Sequence, residues 1–483
     1  MFTDERRCNV WDQVRQQDLR AFGRILTPGV MKEAAQKAGI KLRNTPLNCA
    51  NMAWLGIVSA LQGGKNFANV LVLTFKLLND AQQGMPGGPP PQRKRRKSKH
   101  NPRGRDGTSV SEEAFVQARQ RMPLGFWLSL ILLLAEEFQT QHPEAVHWKG
   151  FRLLALDGTE IALPHWQSLA AAFGTSRNGR QRRRPQARML MLAFPQCRLP
   201  WRYELAPRRC HEQTIAMRLL EYLQPRDLVL MDRGFWSYGL FWQVQRRQAF
   251  FGIRLRRGVK LKTLRQLGPN DRLVTWAMPK GSRKKCAWKS LPDLPKSATL
   301  RVVSYHMPGF RPSAVVTNVL NPAVISREDW VRMASDDGAG RVLEAGLYHR
   351  RWEIETLFCE LKVRQGMARS LRSRTAEGIA FEVAGHVVLY LLTRWLMYEA
   401  AEAHGIPPLR LSFTQALREI NDIRYALLLA TPQRVRRVLL VRLLWRIAQH
   451  LVPLRPGRHY PRPADRYRKK KYRQKAKLVT KQT

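Results

Sequence analysis

From Phe151 to Leu255 the chain alternates short, almost continuous apolar runs with helix-length amphipathic ones, and few folds accept that order. LLALD (Leu153–Asp157), RMLMLAF (Arg188–Phe194) and WRYELA (Trp201–Ala206) read as three strands. A helix over about His211–Leu223 follows, then the strand LVLMD (Leu228–Asp232), a helix over Trp236–Gln248 and a strand over Phe250–Leu255. Runs of Leu, Val and Met without polar alternation belong to strands covered on both faces. The expectation is an α/β core with helices packed over a sheet.

Two of these strands end on an acid. Asp157 is followed by GTEIALP and Asp232 by RGFW. A carboxylate at the end of a buried strand has its direction fixed by the sheet and its oxygens open to the loop side, which suits metal binding. Taken singly, each also fits a turn-forming Asp, and Asp-Gly is a common turn dipeptide. The chain is poor in acids, with Asp+Glu 36 against Lys+Arg 84, so two strand-end aspartates carry weight together.

A third acid comes from YHRRWEIETLFCELK, Tyr348–Lys362. At about 100° per residue, Tyr348, Arg351, Glu355 and Lys362 fall within roughly a sixth of a helix circumference. A carboxylate flanked by two cations and a phenol suits a place where a metal meets a phosphate backbone. The plain alternative is an amphipathic helix with i,i+3 and i,i+4 pairs. Rival acids are placed less well. Glu160 lies past a turn, Asp227 starts the strand that Asp232 ends, Glu353 and Glu360 face off the stripe, and Glu344 sits a turn too early.

The spacing Tyr-x2-Arg-x3-Glu-x6-Lys, with DGTEIALP and MDRGFW upstream in that order, resembles the DDE transposases of the insertion sequence 4 family. The resemblance runs through roughly Phe151–Arg369. Three strands, helix, strand, helix, strand is also the order of the ribonuclease H-like fold. The resemblance implies Asp157, Asp232 and Glu355 as catalytic acids and metal ligands. It implies two Mg²⁺ ions, with Mn²⁺ as a substitute, about 3.5–4 Å apart across an in-line displacement. It implies hydrolysis at the ends of a mobile element to free a 3′-OH, then attack of that hydroxyl on target DNA, a cut-and-paste reaction. Tyr348, Arg351 and Lys362 would contact DNA, as would Arg233 after the second acid. The partners implied are double-stranded DNA, both terminal inverted repeats and target, and a second copy in a homodimer. In the family, a flipped base at a hairpin end can stack on an aromatic residue of a β insertion. Trp276 and Trp288 are the candidates, though either one singly also reads as core. Two rival functions use the same features: an inactive or domesticated DNA-binding relative, and a ribonuclease H-like nuclease without strand transfer.

The rest of the chain is assigned around that core. Residues 1–81 read as a helical N-terminal DNA-binding domain, with helices at Pro28–Ala38, Asn51–Leu61 and Phe67–Leu78. Residues 82–107 form a basic Pro/Gly linker, too poor in apolar residues to fold. A helical lead-in covers 108–150, and the first part of the core 151–255. A mostly β insertion occupies 256–338, with pieces such as RLVTWAM, TLRVVSYHM and SAVVTNVL. The signature helix, expected as one long helix from Ala339 to about Arg369, lies in 339–375. Helices continue over 376–452, and 453–483 is a basic tail expected to be disordered.

Net charge supports the same partner. At +48, self-repulsion is tolerable mainly with a polyanion bound. The arginine-rich RNGRQRRRPQAR (Arg177–Arg188), including Arg182, Arg183 and Arg184, is expected along DNA. The longest apolar runs, Leu128–Ala135 and His386–Leu392, fall short of the roughly 20 residues of a membrane span. No secretory signal opens the chain, and six scattered cysteines without a CxxC pair fit a reducing compartment. A bacterial cytoplasmic, nucleoid-associated location is expected.

Overall fold

The computed structural model describes residues 22–42, 47–63, 112–175, 184–279, 291, 293–306, 312–332, 335–336, 342–343, 346–429 and 433–453. Two compact units are present, Met1–His450 and Leu451–Thr483. The account below concerns the first. The third N-terminal helix expected at Phe67–Leu78, the linker 82–107 and nearly all of the tail lie outside the described residues.

Among the described residues four helices precede the sheet: α1 (Pro28–Lys37), α2 (Cys49–Leu61), α3 (Glu112–Arg121) and α4 (Leu124–Gln141). Thr27 caps α1 and Asn48 caps α2, each accepting a backbone N–H of the first turn through its side-chain oxygen. Then come β1 (Phe151–Ala162), α5 (Gln167–Phe173), β2 (Gln186–Phe194), β3 (Leu199–Pro207), α6 (Glu212–Leu220), β4 (Asp227–Met231), α7 (Tyr238–Arg246) and β5 (Phe250–Arg254). The strands β6 (Lys262–Gly268), β7 (Asp271–Ala277), β8 (Ser297–Tyr305) and β9 (Ser313–Thr317) follow. All nine form one sheet in the order β3-β2-β1-β4-β5-β9-β8-β7-β6, with the short strand His147–Trp148 added beside β1. The pairs β1–β2 and β2–β3 are antiparallel, whereas β4 runs parallel to β1 and β5 parallel to β4. The stretch read as a β insertion thus extends the central sheet through β9, which pairs antiparallel with β5.

Two expectations are corrected. Asp157 does not end its strand. β1 runs on to Ala162 because β2 pairs with it residue for residue from Ala155 to Ala162. The signature segment is not one helix from Ala339. It begins as a 3₁₀ turn at Leu347–Arg351, becomes α8 (Trp352–Cys359), and widens to a π-turn at Glu360–Arg364. Gly366, at φ +86°, then ends it in the left-handed region that glycine favours.

The long helix α9 (Ala376–Ala403) is the core post of the helical layer. It is the one unbroken helix among the described residues long and apolar enough to cross a membrane, and it is almost wholly buried within the protein. Helices α10 (Phe413–Leu429) and α11 (Gln433–Ala448) complete the layer. Helix α2 is buried on every side from Ala50 to Ala60 and crosses α9 closely. A Cβ built on Gly385 would lie 2.8 Å from the Gly56 carbonyl oxygen. The expectation that N-terminal helices read DNA therefore fails for α2, which has no free face. Its CANMAWLGIVSAL, without a single charge, carried that signal. Because the obstacle is backbone, we expect Gly385→Ala to cost about 1–3 kcal/mol in chemical denaturation. An unchanged midpoint would mean the two helices can part.

Candidate active site

The parallel ladder between β1 and β4 pairs Arg152 with Asp227 and ends at Leu156 with Met231. Asp157 and Asp232 are the next residue on each strand, so they stand side by side where the parallel pairing stops. Adjacent strands lie about 4.8 Å apart. The signature segment crosses the same place. The Tyr348 hydroxyl donates to the Met231 carbonyl oxygen at 3.1 Å, holding the 3₁₀ turn to the residue before Asp232. One turn on, Arg351 reaches Asp157 Oδ2 at 3.5 Å with one terminal nitrogen and Glu355 Oε1 at 2.8 Å with the other. Two carboxylates thus flank one buried guanidinium, and the third, Asp232, stands beside Asp157.

Electrostatics follow from that crowding. Burial pushes the Asp157 carboxyl up to about 6, and Glu355 and Asp232 add to the rise. The Gly158 N–H, at 2.8 Å from Asp157 Oδ1, and Arg351 oppose it. Arg351 supplies one countercharge between Asp157 and Glu355 while Asp232 adds a further negative charge beside Asp157, which leaves the group short of positive charge. Carboxylate oxygens alone are the donor set that hard divalent cations take, so the residues present fit such an ion.

Lys362 lies on the π-turn and donates to Thr159 Oγ1 and to the Glu160 carbonyl oxygen, both at 2.8 Å. It is half-buried, and burial draws its ammonium below the ordinary lysine range while Glu160 opposes the shift. Thr159 follows Asp157 by two residues on β1, so both project from the same face of the sheet.

The rival acids are engaged elsewhere. Asp227 forms a buried two-armed pair with Arg152, each bond 2.7 Å. Glu160 meets Arg188 and Arg208, and Glu353 meets Arg198. Glu360 is enclosed by Arg198, Arg394 and Tyr390. Glu344 lies outside the described residues.

Several assigned contacts change. Tyr348, a DNA contact by the resemblance, is 6% exposed and packs in a core cluster with Leu347, Trp330 and Leu230. Its phenol positions a strand end instead. Trp276 is not a free stacking surface. It is 5% exposed, with ring centroids 5.0–5.4 Å from Trp236, Tyr238 and Phe241. Alternation along β7 puts Val274 and Trp276 inward together, a signal already in the sequence. Trp288, Arg182 and Arg183 lie outside the described residues. Arg184 is exposed and donates to His165 Nε2 at 3.1 Å, and Arg233 opens a 3₁₀ turn directly after Asp232.

A second polar cluster was not foreseen. His142, Glu144 and Glu402 have ligand atoms all within 4.8 Å of one another. They join the end of α4 to the end of α9, where Glu144 also accepts the Tyr398 hydroxyl at 2.6 Å.

Acids side by side on neighbouring strands where their parallel pairing stops, completed by a glutamate from a crossing helix, define a class of phosphoryl-transfer site. The comparisons agree with it. The Transposase DDE domain family matches residues 148–392, from the strand before β1 to the middle of α9, and the chain belongs to that family. Transposase InsG for insertion sequence element IS4, from Escherichia coli strain K12, is 27% identical over 463 residues, covering 94% of this chain and 93% of its own. A cryo-EM structure of the piggyBac transposase synaptic complex with hairpin DNA superposes with TM-score 0.38 and 10% identity. That overlay covers 93% of this chain and 88% of the other, a likeness too slight to carry weight. The protein is a DNA transposase, and phosphoryl transfer on DNA is its activity.

Proposed function

We propose that this transposase cleaves the ends of an insertion sequence and joins them to target DNA by a cut-and-paste route, on a ribonuclease H-like core. The observation that carries the reading is Asp157 beside Asp232 at the end of one parallel ladder, with Glu355 brought to them by Arg351. The core assignment is supported by three antiparallel strands in series and two further parallel ones, in the order β3-β2-β1-β4-β5.

Asp157, Asp232 and Glu355 would hold the divalent ions, and a pair of Mg²⁺, or Mn²⁺ in its place, would supply charge for the attacking and leaving oxygens. The chain's own groups do the rest. The sheet fixes two carboxylates, so no reorganisation is needed when a phosphate arrives. Tyr348 fixes the third by anchoring the turn that carries it. Arg351, already between Asp157 and Glu355, can turn its fork to a phosphate oxygen once other positive charge meets the acids. Lys362 holds the π-turn to β1 and sets a cation beside the DNA path; Arg233 and Arg184 extend that path. Terminal inverted repeats, target DNA and a second copy bridging two ends are the partners this reading requires, at the bacterial nucleoid in the cytoplasm.

The test is end cleavage of a labelled element-end duplex by the full chain. Mg²⁺ is expected to give a nick at the element boundary with a free 3′-OH, and chelation to abolish it while DNA binding persists. Nicking without later joining to a target plasmid would favour the nuclease reading. Binding without cleavage in either Mg²⁺ or Mn²⁺ would favour an inactive relative.

A further inference from the structure

Beyond the carboxylates, the structure carries a half-open aromatic side chain with arginines around it. Trp166 follows the end of β1 and precedes α5, and it is 40% exposed. It occupies the N-cap of α5, where its side chain makes no capping bond. Ser, Thr, Asp or Asn would serve that helix better. Trp352 and Trp445 are also exposed, so it is the company Trp166 keeps that sets it apart.

That company is basic. The Arg374 guanidinium sits 4.2 Å from the centroid of the Trp166 ring. Ser168, in the first turn of α5, donates to the Arg374 carbonyl oxygen and ties that segment down. Next to Trp166 in the chain, His165 accepts from Arg184, the last of three consecutive arginines in the arginine-rich segment. Among the described residues no carboxylate lies within ion-pair distance of Arg184 or Arg374. These are two cations without counterions beside an exposed ring, in a chain whose charge is +48.

Trp166 lies four residues beyond the end of β1, the strand that carries Asp157. The signature segment and the residues after it are tied to β1 and the turn beyond it through successive contacts: Arg351 to Asp157, Lys362 to Thr159, then Arg374 at Trp166 and Ser168. From Asp157 to Ala162 the strand advances about 17 Å, roughly five nucleotide steps along one strand.

We propose that Trp166, with Arg374 over its ring and Arg184 beside it, is a stacking platform for an unpaired base of a DNA strand leaving the active site. The arginines take the flanking phosphates, and the indole takes the base without reading its identity. The proposal rests on the DNA reading above but not on its cleavage route.

The test uses the full chain and two probes of arbitrary sequence: a blunt duplex, and the same duplex with a six-nucleotide single-stranded extension bearing 2-aminopurine. Wild type is expected to bind the extended probe about tenfold more tightly and to quench its fluorescence. Trp166→Ala should lose that preference and the quenching while keeping its affinity for the blunt duplex. Trp166→Phe should retain most of both, which also covers the case of an alanine variant that does not fold. Arg374→Ala should weaken both probes and lower the salt slope by about one. A Trp166→Ala protein that still prefers and quenches the extension would overturn the proposal, as would a wild type with no preference. Failure to bind either probe would instead sink the DNA reading, and the platform with it.

Discussion

Asp157→Asn is expected to do two opposite things: reduce end cleavage about a thousandfold or more, and stabilise the metal-free protein. The first follows from removing one of three ligands. The second follows from the crowding itself. The Asp157 carboxyl stands at about 6 in the folded chain against an ordinary 3.8. Below 3.8 it is protonated in both states and costs nothing. Between the two values the unfolded chain releases its proton first, so stability falls as pH rises. Above 6 the folded state carries the whole penalty, about 2–3 kcal/mol. Asparagine keeps the shape and can still accept from Gly158, but it bears no charge. It forgoes only the long contact to Arg351, so a net gain of about 2 kcal/mol remains. Denaturation in EDTA at pH 7.5 should therefore show the variant more stable, with the advantage gone at pH 3.5. Mg²⁺ should narrow the gap by stabilising wild type. Equal stability of the two proteins at pH 7.5 in EDTA would mean the acids are not crowded as described.

How much of this was legible depends on which force set each element. The strands from β1 to β5 showed because burial on both faces leaves continuous apolar runs, and Asp157 and Asp232 stood out against them. β6, KTLRQLG, did not show. It is an edge strand paired only with β7 and mostly exposed, so no apolar pattern marks it. Asp157-Gly158 looked like a turn locally, yet pairing with β2 holds it extended, and the Gly158 N–H bonds back to the Asp157 carboxylate. The signature spacing was readable, but not its helix type. Arg351 and Glu355 pair across one α-helical step, as the sequence implied. Tyr348 is brought over Arg351 by a 3₁₀ turn, and Lys362 is carried on a π-turn. Neither irregularity has a local composition. Both coincide with ties to partners far away in sequence, Met231 for the first turn and Arg394 for the second.

The π-turn is where the second large effect is expected. Glu360, 1% exposed, accepts from the Tyr390 hydroxyl at 2.8 Å and from Arg198 Nη1 at 3.1 Å, and is paired closely with Arg394. Burial alone would raise its carboxyl, but Arg394 and Arg198 outweigh that and hold it below the ordinary range. Arg394→Ala strips the main countercharge and leaves Glu360 and Tyr390 enclosed together, at a cost of about 3–5 kcal/mol. Since the Glu360 carboxyl is depressed, the stability it contributes is present above its unfolded value and is lost as pH falls through the folded one. The difference between wild type and Arg394→Ala should accordingly shrink in acid. The paired change Glu360→Leu with Arg394→Met removes both charges at once and should restore most of the stability, because a well-packed apolar pair can replace a buried ion pair. What it should not restore is the pull that opens the turn between Glu355 and Lys362. The paired variant should fold, bind duplex DNA and cleave slowly. Full cleavage by a stable paired variant would show that the network serves the core alone; slow cleavage with intact binding would place it behind the position of Glu355.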